Sequence, residues 1–117
     1  LLILKRAELD KDNSGLWDLP GGAIENNEDI FTAVKREVLE ETGMKSSAIS
    51  IKDLCGLFLG KLKGKKLSIL FFSCESKTQK VKLSTEHSEY LWINPNDMSK
   101  YKPGITIKAI RHILPHK

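Results

Sequence analysis

The 117-residue chain has no apolar run approaching the roughly 20 residues that a bilayer-crossing helix needs, so no helical membrane span is expected in it. Cysteine is scarce. There are two, Cys55 and Cys74, without a CxxC spacing, whereas a small secreted domain stapled by disulfides would carry more. Both lie in apolar, strand-like runs, which predicts reduced core thiols and a cytoplasmic chain. Aromatic residues make up only 7%, and there is no long basic or aromatic track of the kind that grips nucleic acid. The charge excess is small: 19 Lys and Arg against 15 Asp and Glu give +4, which suits an anionic ligand without requiring a polynucleotide. Repeats and low-complexity tracts are absent. The chain opens on Leu-Leu-Ile-Leu with neither an initiator Met nor a signal-peptide pattern, so further residues are expected before Leu1.

What is present is ordinary for a globular protein: 40% hydrophobic and 29% charged residues, in a length that suits one domain over residues 1–117. Leu1–Ala7 reads as a buried strand and Asp10–Gly15 as a polar loop. Trp17-Asp18-Leu19-Pro20-Gly21-Gly22 predicts a sharp backbone feature, with two glycines where close approach is allowed. Ile30–Thr42 carries the strongest helical period, started by Asn26–Asp29 and stopped by Gly43. Ile49–Leu62 and Lys66–Cys74 flank Lys63-Gly64-Lys65 and predict a hairpin, followed by a polar connection over Ser76–Glu86. Tyr90–Ile93 reads as a short strand, Asn94-Pro95 as the start of a helical turn, and Thr106–Leu114 as a second amphipathic helix. That order implies mixed α/β with a largely non-parallel sheet.

The first helix changes character halfway along. With Glu37 at zero on a wheel of ~100° per residue, Ile30, Ala33 and Val34 fall at about +20°, −40° and +60°. Glu40 and Glu41 fall at about −60° and +40°, on the same stripe. One face is therefore apolar for two turns and then becomes three carboxylates. Like charges held together against a protein wall require a counter-ion. Arg36, four residues from Glu40, supplies one charge; a hard divalent cation, Mg²⁺ or Mn²⁺, best accounts for the rest.

Gly22, five residues, Glu28, seven residues, then Arg36-Glu37-Val38-Leu39-Glu40-Glu41-Thr42-Gly43-Met44 resembles the complete Nudix box. Seven fixed residues at ~7% abundance each recur by chance about once in 10⁸ start points. The approach Trp17-Asp18-Leu19-Pro20-Gly21 is also similar to that family's. The resemblance implies an α/β/α sandwich with a mixed sheet between helices. It also implies a metal-dependent hydrolase that cleaves the diphosphate of nucleoside diphosphate derivatives by attack of water. On it, Glu37, Glu40 and Glu41 match the metal-binding carboxylates and Gly22 the box glycine, whose carbonyl also faces the metal. Glu28 and Arg36 match a pair that braces loop against helix. The general base is Glu41 or Glu40. A further catalytic carboxylate is Glu86, with Glu89 the alternative, and His87 reads as a loop residue. Arg6, Trp17 and Leu19 are the candidate substrate-binding residues. A strand usually precedes the one at Leu1–Ala7, and a homodimer is a common assembly.

Selectivity is harder to read. Trp17, Phe58, Phe72, Tyr90, Trp92 and Tyr101 are candidates to stack a base, though each also suits a core. Lys61, Lys63, Lys65 and Lys66 either attract phosphates or protect a sheet edge. About 16 residues beyond the box, Phe58-Leu59-Gly60-Lys61 matches neither the ADP-ribose nor the diadenosine-polyphosphate signature, and no coenzyme A signature is seen. By elimination the expected substrate is a small (deoxy)nucleoside triphosphate giving the monophosphate and pyrophosphate. The alternatives are ADP-ribose or nucleotide sugars, a 5′-triphosphate RNA end, and a catalytically silent nucleotide-binding module.

Overall fold

The computed structural model describes residues 1–8, 14–62 and 64–113, with Lys65 described through its backbone only. The elements run β1 (Leu2–Arg6), β2 (Trp17–Asp18), α1 (Ile30–Thr42), β3 (Ile49–Leu62), β4 (Lys65–Ser76), β5 (His87–Trp92) and α2 (Ile105–Ile110). Short 3₁₀ segments cover Ser46–Ala48 and Pro95–Lys100, the second capped by the Asn94 side chain. α1 has the expected bounds. The Asp29 carboxylate accepts the Thr32 N–H and caps its first turn, and Gly43 ends it at φ 74°, where a side chain would be strained.

β1 is the middle strand of a three-stranded antiparallel sheet, ordered β2-β1-β5. Its alternation is buried on both sides. Ile3 faces a cluster with Trp17, Met98, Ile107 and Ile110, while Leu2 and Leu4 face Met44 and Ile49, with Val38 of α1 packed against them. Two strand faces covered by two helices is the expected α/β/α layering. Ile3, Leu4 and Ile107 are fully buried, each contributing about 1.5–3 kcal/mol of transfer free energy.

β3 and β4 form the expected hairpin, antiparallel with irregularities at Ile51/Asp53 and Leu54/Gly56. Phe58, Leu62, Ile69 and Phe71 face the core, whereas Leu54, Leu57, Leu59 and Leu70 stay exposed. That open face corrects one expectation. Cys55 and Cys74 are free thiols, but both are exposed rather than in the core. Pairing between strands is antiparallel throughout the described ladders; the parallel element is a bridge, Trp17 to Pro103. Among the described residues, no helix is long and apolar enough to cross a membrane.

Three further differences have plain causes. Trp17-Asp18, expected as turn backbone, forms a two-residue strand because Asp18 and Trp17 pair with Leu4 and Lys5. β5 begins at His87 rather than Tyr90, in register with Arg6 across a bulge. α2 is capped from a distance: the Asp18 carboxylate accepts from both the backbone N–H and the hydroxyl of Thr106, at 2.9 and 2.6 Å. Of the loop expected over Asp10–Gly15, residues 10–13 lie outside the described residues, and the helix expected over Thr106–Leu114 ends earlier, at Ile110, with Leu114 and Pro115 outside what is described.

Candidate active site

The last two turns of α1 face the loop over residues 19–28 and the beginning of β5. The three helix carboxylates are not equivalent. Glu41 is 5% exposed, the Glu37 side chain 17% and the Glu40 side chain 56%. So of the three carboxylates that end the stripe, only Glu41 is buried.

Arg36 organises the outer part. Its Nε and Nη2 donate to the two oxygens of Glu28 at 2.7 and 2.9 Å, a two-pronged pair joining loop to helix. Nη1 donates to Glu37 Oε1 at 2.8 Å and more loosely to Glu40 at 3.3 Å, while Nη2 also reaches the Ala23 carbonyl at 3.0 Å. Glu25 lies 3.6 Å away. The hydrogen bonds from Arg36 hold the Glu28 carboxyl below the usual range, and those carboxylates raise the guanidinium further. Gly22 lies so close to Glu37 that a Cβ there would overlap its carboxylate. A side chain there would push the Glu37 carboxylate aside.

Glu41 sits in different surroundings. Its Oε1 accepts the Gly21 backbone N–H at 2.7 Å, and its Oε2 is 3.8 Å from His87 Nε2. Burial pushes its carboxyl up to about 7, against the Gly21 hydrogen bond; repulsion from Glu37 and Glu86 adds to the rise, and attraction to Arg6 opposes it. Donor atoms of Glu41, Glu86 and His87 all lie within 4.8 Å of one another. Burial, and then Arg6, lower the His87 pKa, so this imidazole is neutral near pH 7 and its contact with Glu41 is not an ion pair. Two carboxylates, Glu41 and Glu86, and a neutral imidazole facing one space make a donor set for a divalent cation.

The sheet brings the remaining candidates to the same end. Arg6 lies across from His87 in the ladder, with its Nε 3.5 Å from Asp18 Oδ2. Glu86 is exposed beside the cluster, whereas Glu89 pairs with Lys5 at 2.9 Å, on β1. Trp17, a stacking candidate that also suits a core, is 8% exposed and its ring meets Tyr101 edge-on at 5.4 Å. Leu19 is partly buried against the same core, its N–H held by Thr106 Oγ1. Phe72 meets Phe31 and Phe58 meets His112, and Tyr90 and Trp92 remain partly exposed. Lys61 and Lys66 face each other at the hairpin tip, while Lys63 and the Lys65 side chain lie outside what is described.

His87 is the residue that sequence reasoning misplaced. It is a buried strand residue at the site and not a loop residue. No periodicity marks it, because the rest of β5 is exposed on both faces. The one available signal was its neighbour, Glu86.

Comparison with known proteins agrees with this geometry. A family profile described as the NUDIX domain matches residues 1–115. A MutT-like protein of Streptomyces ambofaciens is 32% identical over 86% of this chain, which spans 58% of that relative's length. The nucleoside triphosphatase NudI of Escherichia coli SE11 is 30% identical over 83% of this chain and 75% of its own length. A crystal structure of a MutT protein from Methanosarcina mazei Go1 superposes with a TM-score of 0.78 at 33% identity, over 96% of this chain and 78% of that one.

Proposed function

This chain belongs to the Nudix hydrolase family, and from that premise we propose that it is a divalent-metal-dependent pyrophosphohydrolase of a small (deoxy)nucleoside triphosphate, releasing the monophosphate and pyrophosphate. The observation that carries this reading is the buried Glu41 carboxylate, crowded by Glu37 and Glu86, whose repulsion a cation would relieve. Hard oxygen donors suit Mg²⁺ or Mn²⁺, and the Glu37 carboxylate lies against the bare backbone of Gly22. Glu37, Glu40, Glu41 and Glu86, with the Gly22 carbonyl, are the residues we assign to hold the ion. When bound, such an ion neutralises phosphate charge and acidifies water.

The chain's own groups do the rest. Phosphoryl chemistry asks a protein for positioning and charge balance above all. Arg36 and Glu28 keep the loop at a set distance from α1, so the carboxylates face the diphosphate from one rigid wall. Arg6 places positive charge at the same end of the sheet, toward a phosphate. Trp17 and Leu19 shape the wall from behind. Water attacks one phosphorus of the diphosphate, its oxygen bonds there, the bond to the departing pyrophosphate breaks, and a carboxylate takes the released proton. Glu41 is our choice over Glu40 for that proton, because burial raises its basicity while Glu40 is exposed and faces Arg36.

For the substrate class, support comes from the likeness to NudI and from the lack of proline or tyrosine in Phe58-Leu59-Gly60-Lys61. The test is product analysis with Mg²⁺ or Mn²⁺ over (deoxy)nucleoside triphosphates, ADP-ribose, nucleotide sugars and dinucleoside polyphosphates. Monophosphate and pyrophosphate from a triphosphate is the expected result. Turnover confined to another class would replace the substrate, and tight binding with no product would replace the reading with a binding module.

A further inference from the structure

His87 is a second, independent feature of the Glu41 pocket. Its side chain is 1% exposed, and its Nδ1 is buried with no hydrogen-bond partner among the described residues. A buried polar nitrogen left unpaired is costly and calls for a function or a ligand. Strand pairing holds the ring where it is: Arg6 lies across from it on β1, and Glu41 Oε2 lies 3.8 Å from its Nε2. A ring nitrogen of His87 and carboxylate oxygens of Glu41 and Glu86 lie within 4.8 Å of one another, close enough to share one ion.

We infer that His87 supplies an imidazole nitrogen to the cation held by Glu41 and Glu86, so that the site favours Mn²⁺ or Co²⁺ over Mg²⁺ more strongly than carboxylates alone would. The chemistry is that of donor type. Carboxylate and carbonyl oxygens suit Mg²⁺ and Mn²⁺ alike, whereas imidazole adds affinity along the transition-metal order and almost none for Mg²⁺. Glu86 and His87, adjacent in sequence, then act together from the start of β5, one exposed and one buried, across from Glu41 of α1. This inference rests on the reading of Glu41 as a metal-holding carboxylate.

The test is pulsed electron paramagnetic resonance of Mn²⁺ on the full chain, read for ¹⁴N modulation from a bound imidazole, with calorimetric titration of Mn²⁺ and Mg²⁺. Wild type should show the modulation, and His87→Gln should lose it while still binding Mn²⁺. The Mn²⁺ Kd of that variant should rise about tenfold or more, with the Mg²⁺ Kd nearly unchanged. Mn²⁺ bound by wild type without nitrogen modulation would overturn the role of His87 and leave the carboxylate site standing. Mn²⁺ affinity unmoved by Glu41→Gln would overturn the site beneath it. If His87→Gln does not fold, the other two histidines decide: modulation that survives His112→Gln and His116→Gln belongs to His87, and modulation lost with either contradicts the inference.

Discussion

Two glutamates of one cluster, Glu28 and Glu41, sit in opposite environments. Glu28 faces the Arg36 guanidinium through two short hydrogen bonds and is held ionised; Glu41 is buried, is repelled by Glu37 and Glu86, and is pushed up to about 7. The outer region shares one guanidinium among Glu25, Glu28, Glu37 and Glu40. The inner region has Gly21, His87 and the field of Arg6. The difference teaches which acids shape the site and which do the chemistry. Glu28, satisfied on both oxygens by a fixed guanidinium, braces structure, while Glu41, kept short of positive charge, is ready for a cation or a proton.

Metal removal should erase the distinction most completely. With excess EDTA, turnover should fall to background and return with Mg²⁺ or Mn²⁺; activity that persists in EDTA would break the inner half of the comparison. Next in size, Arg36→Ala releases the outer braces. Turnover should drop about 10- to 100-fold, with the helix retained by circular dichroism, since Arg36 acts by holding other groups. A loss as large as that of the metal would make Arg36 part of the chemistry.

The pH dependence sharpens the same contrast. Between about pH 4.5 and 7 an unfolded chain ionises Glu41 while the metal-free folded chain keeps it protonated. Stability from this group is thus present below about 4.5 and lost as pH rises through about 7, by up to ~3 kcal/mol. His87, with its pKa lowered, acts oppositely, losing its contribution as pH falls, but it does so in wild type and Glu41→Gln alike. In EDTA, therefore, Glu41→Gln should gain more stability over wild type at about pH 8 than at about pH 5, by denaturant midpoints. An equal difference at both pH values would contradict the burial argument. The smallest effect belongs to Glu89→Gln, which removes an exposed pair with Lys5: about 0.5 kcal/mol or less, and no change in turnover. Glu86→Gln, three residues earlier, should lower turnover; the reverse ranking would exchange their roles.

The helix and its acids were legible because α1 combines a strong 3.6-residue period with a capping aspartate and a terminal glycine, all local signals. The Glu28–Arg36 pair followed from a motif whose spacing encodes it, whereas the closeness of Gly22 to Glu37 is visible only in the fold. What was hidden depends on tertiary placement. A helical wheel puts Glu37, Glu40 and Glu41 on one stripe but cannot say which edge the neighbouring strand covers, so their unequal burial was invisible. His87 gave no sign of burial because β5 shows no alternation. The cysteines misled because an apolar hairpin reads as buried, whereas only one face of β3 and β4 meets the core.

The most direct measurement is the kcat of Glu41→Gln beside Glu28→Gln, on whichever nucleotide wild type hydrolyses, with saturating Mg²⁺ and folding checked by circular dichroism. The expected result is a loss of about 10³-fold or more for Glu41→Gln and about 10- to 100-fold for Glu28→Gln. Equal losses, or a larger one for Glu28→Gln, would contradict the division between a bracing outer acid and a working inner one.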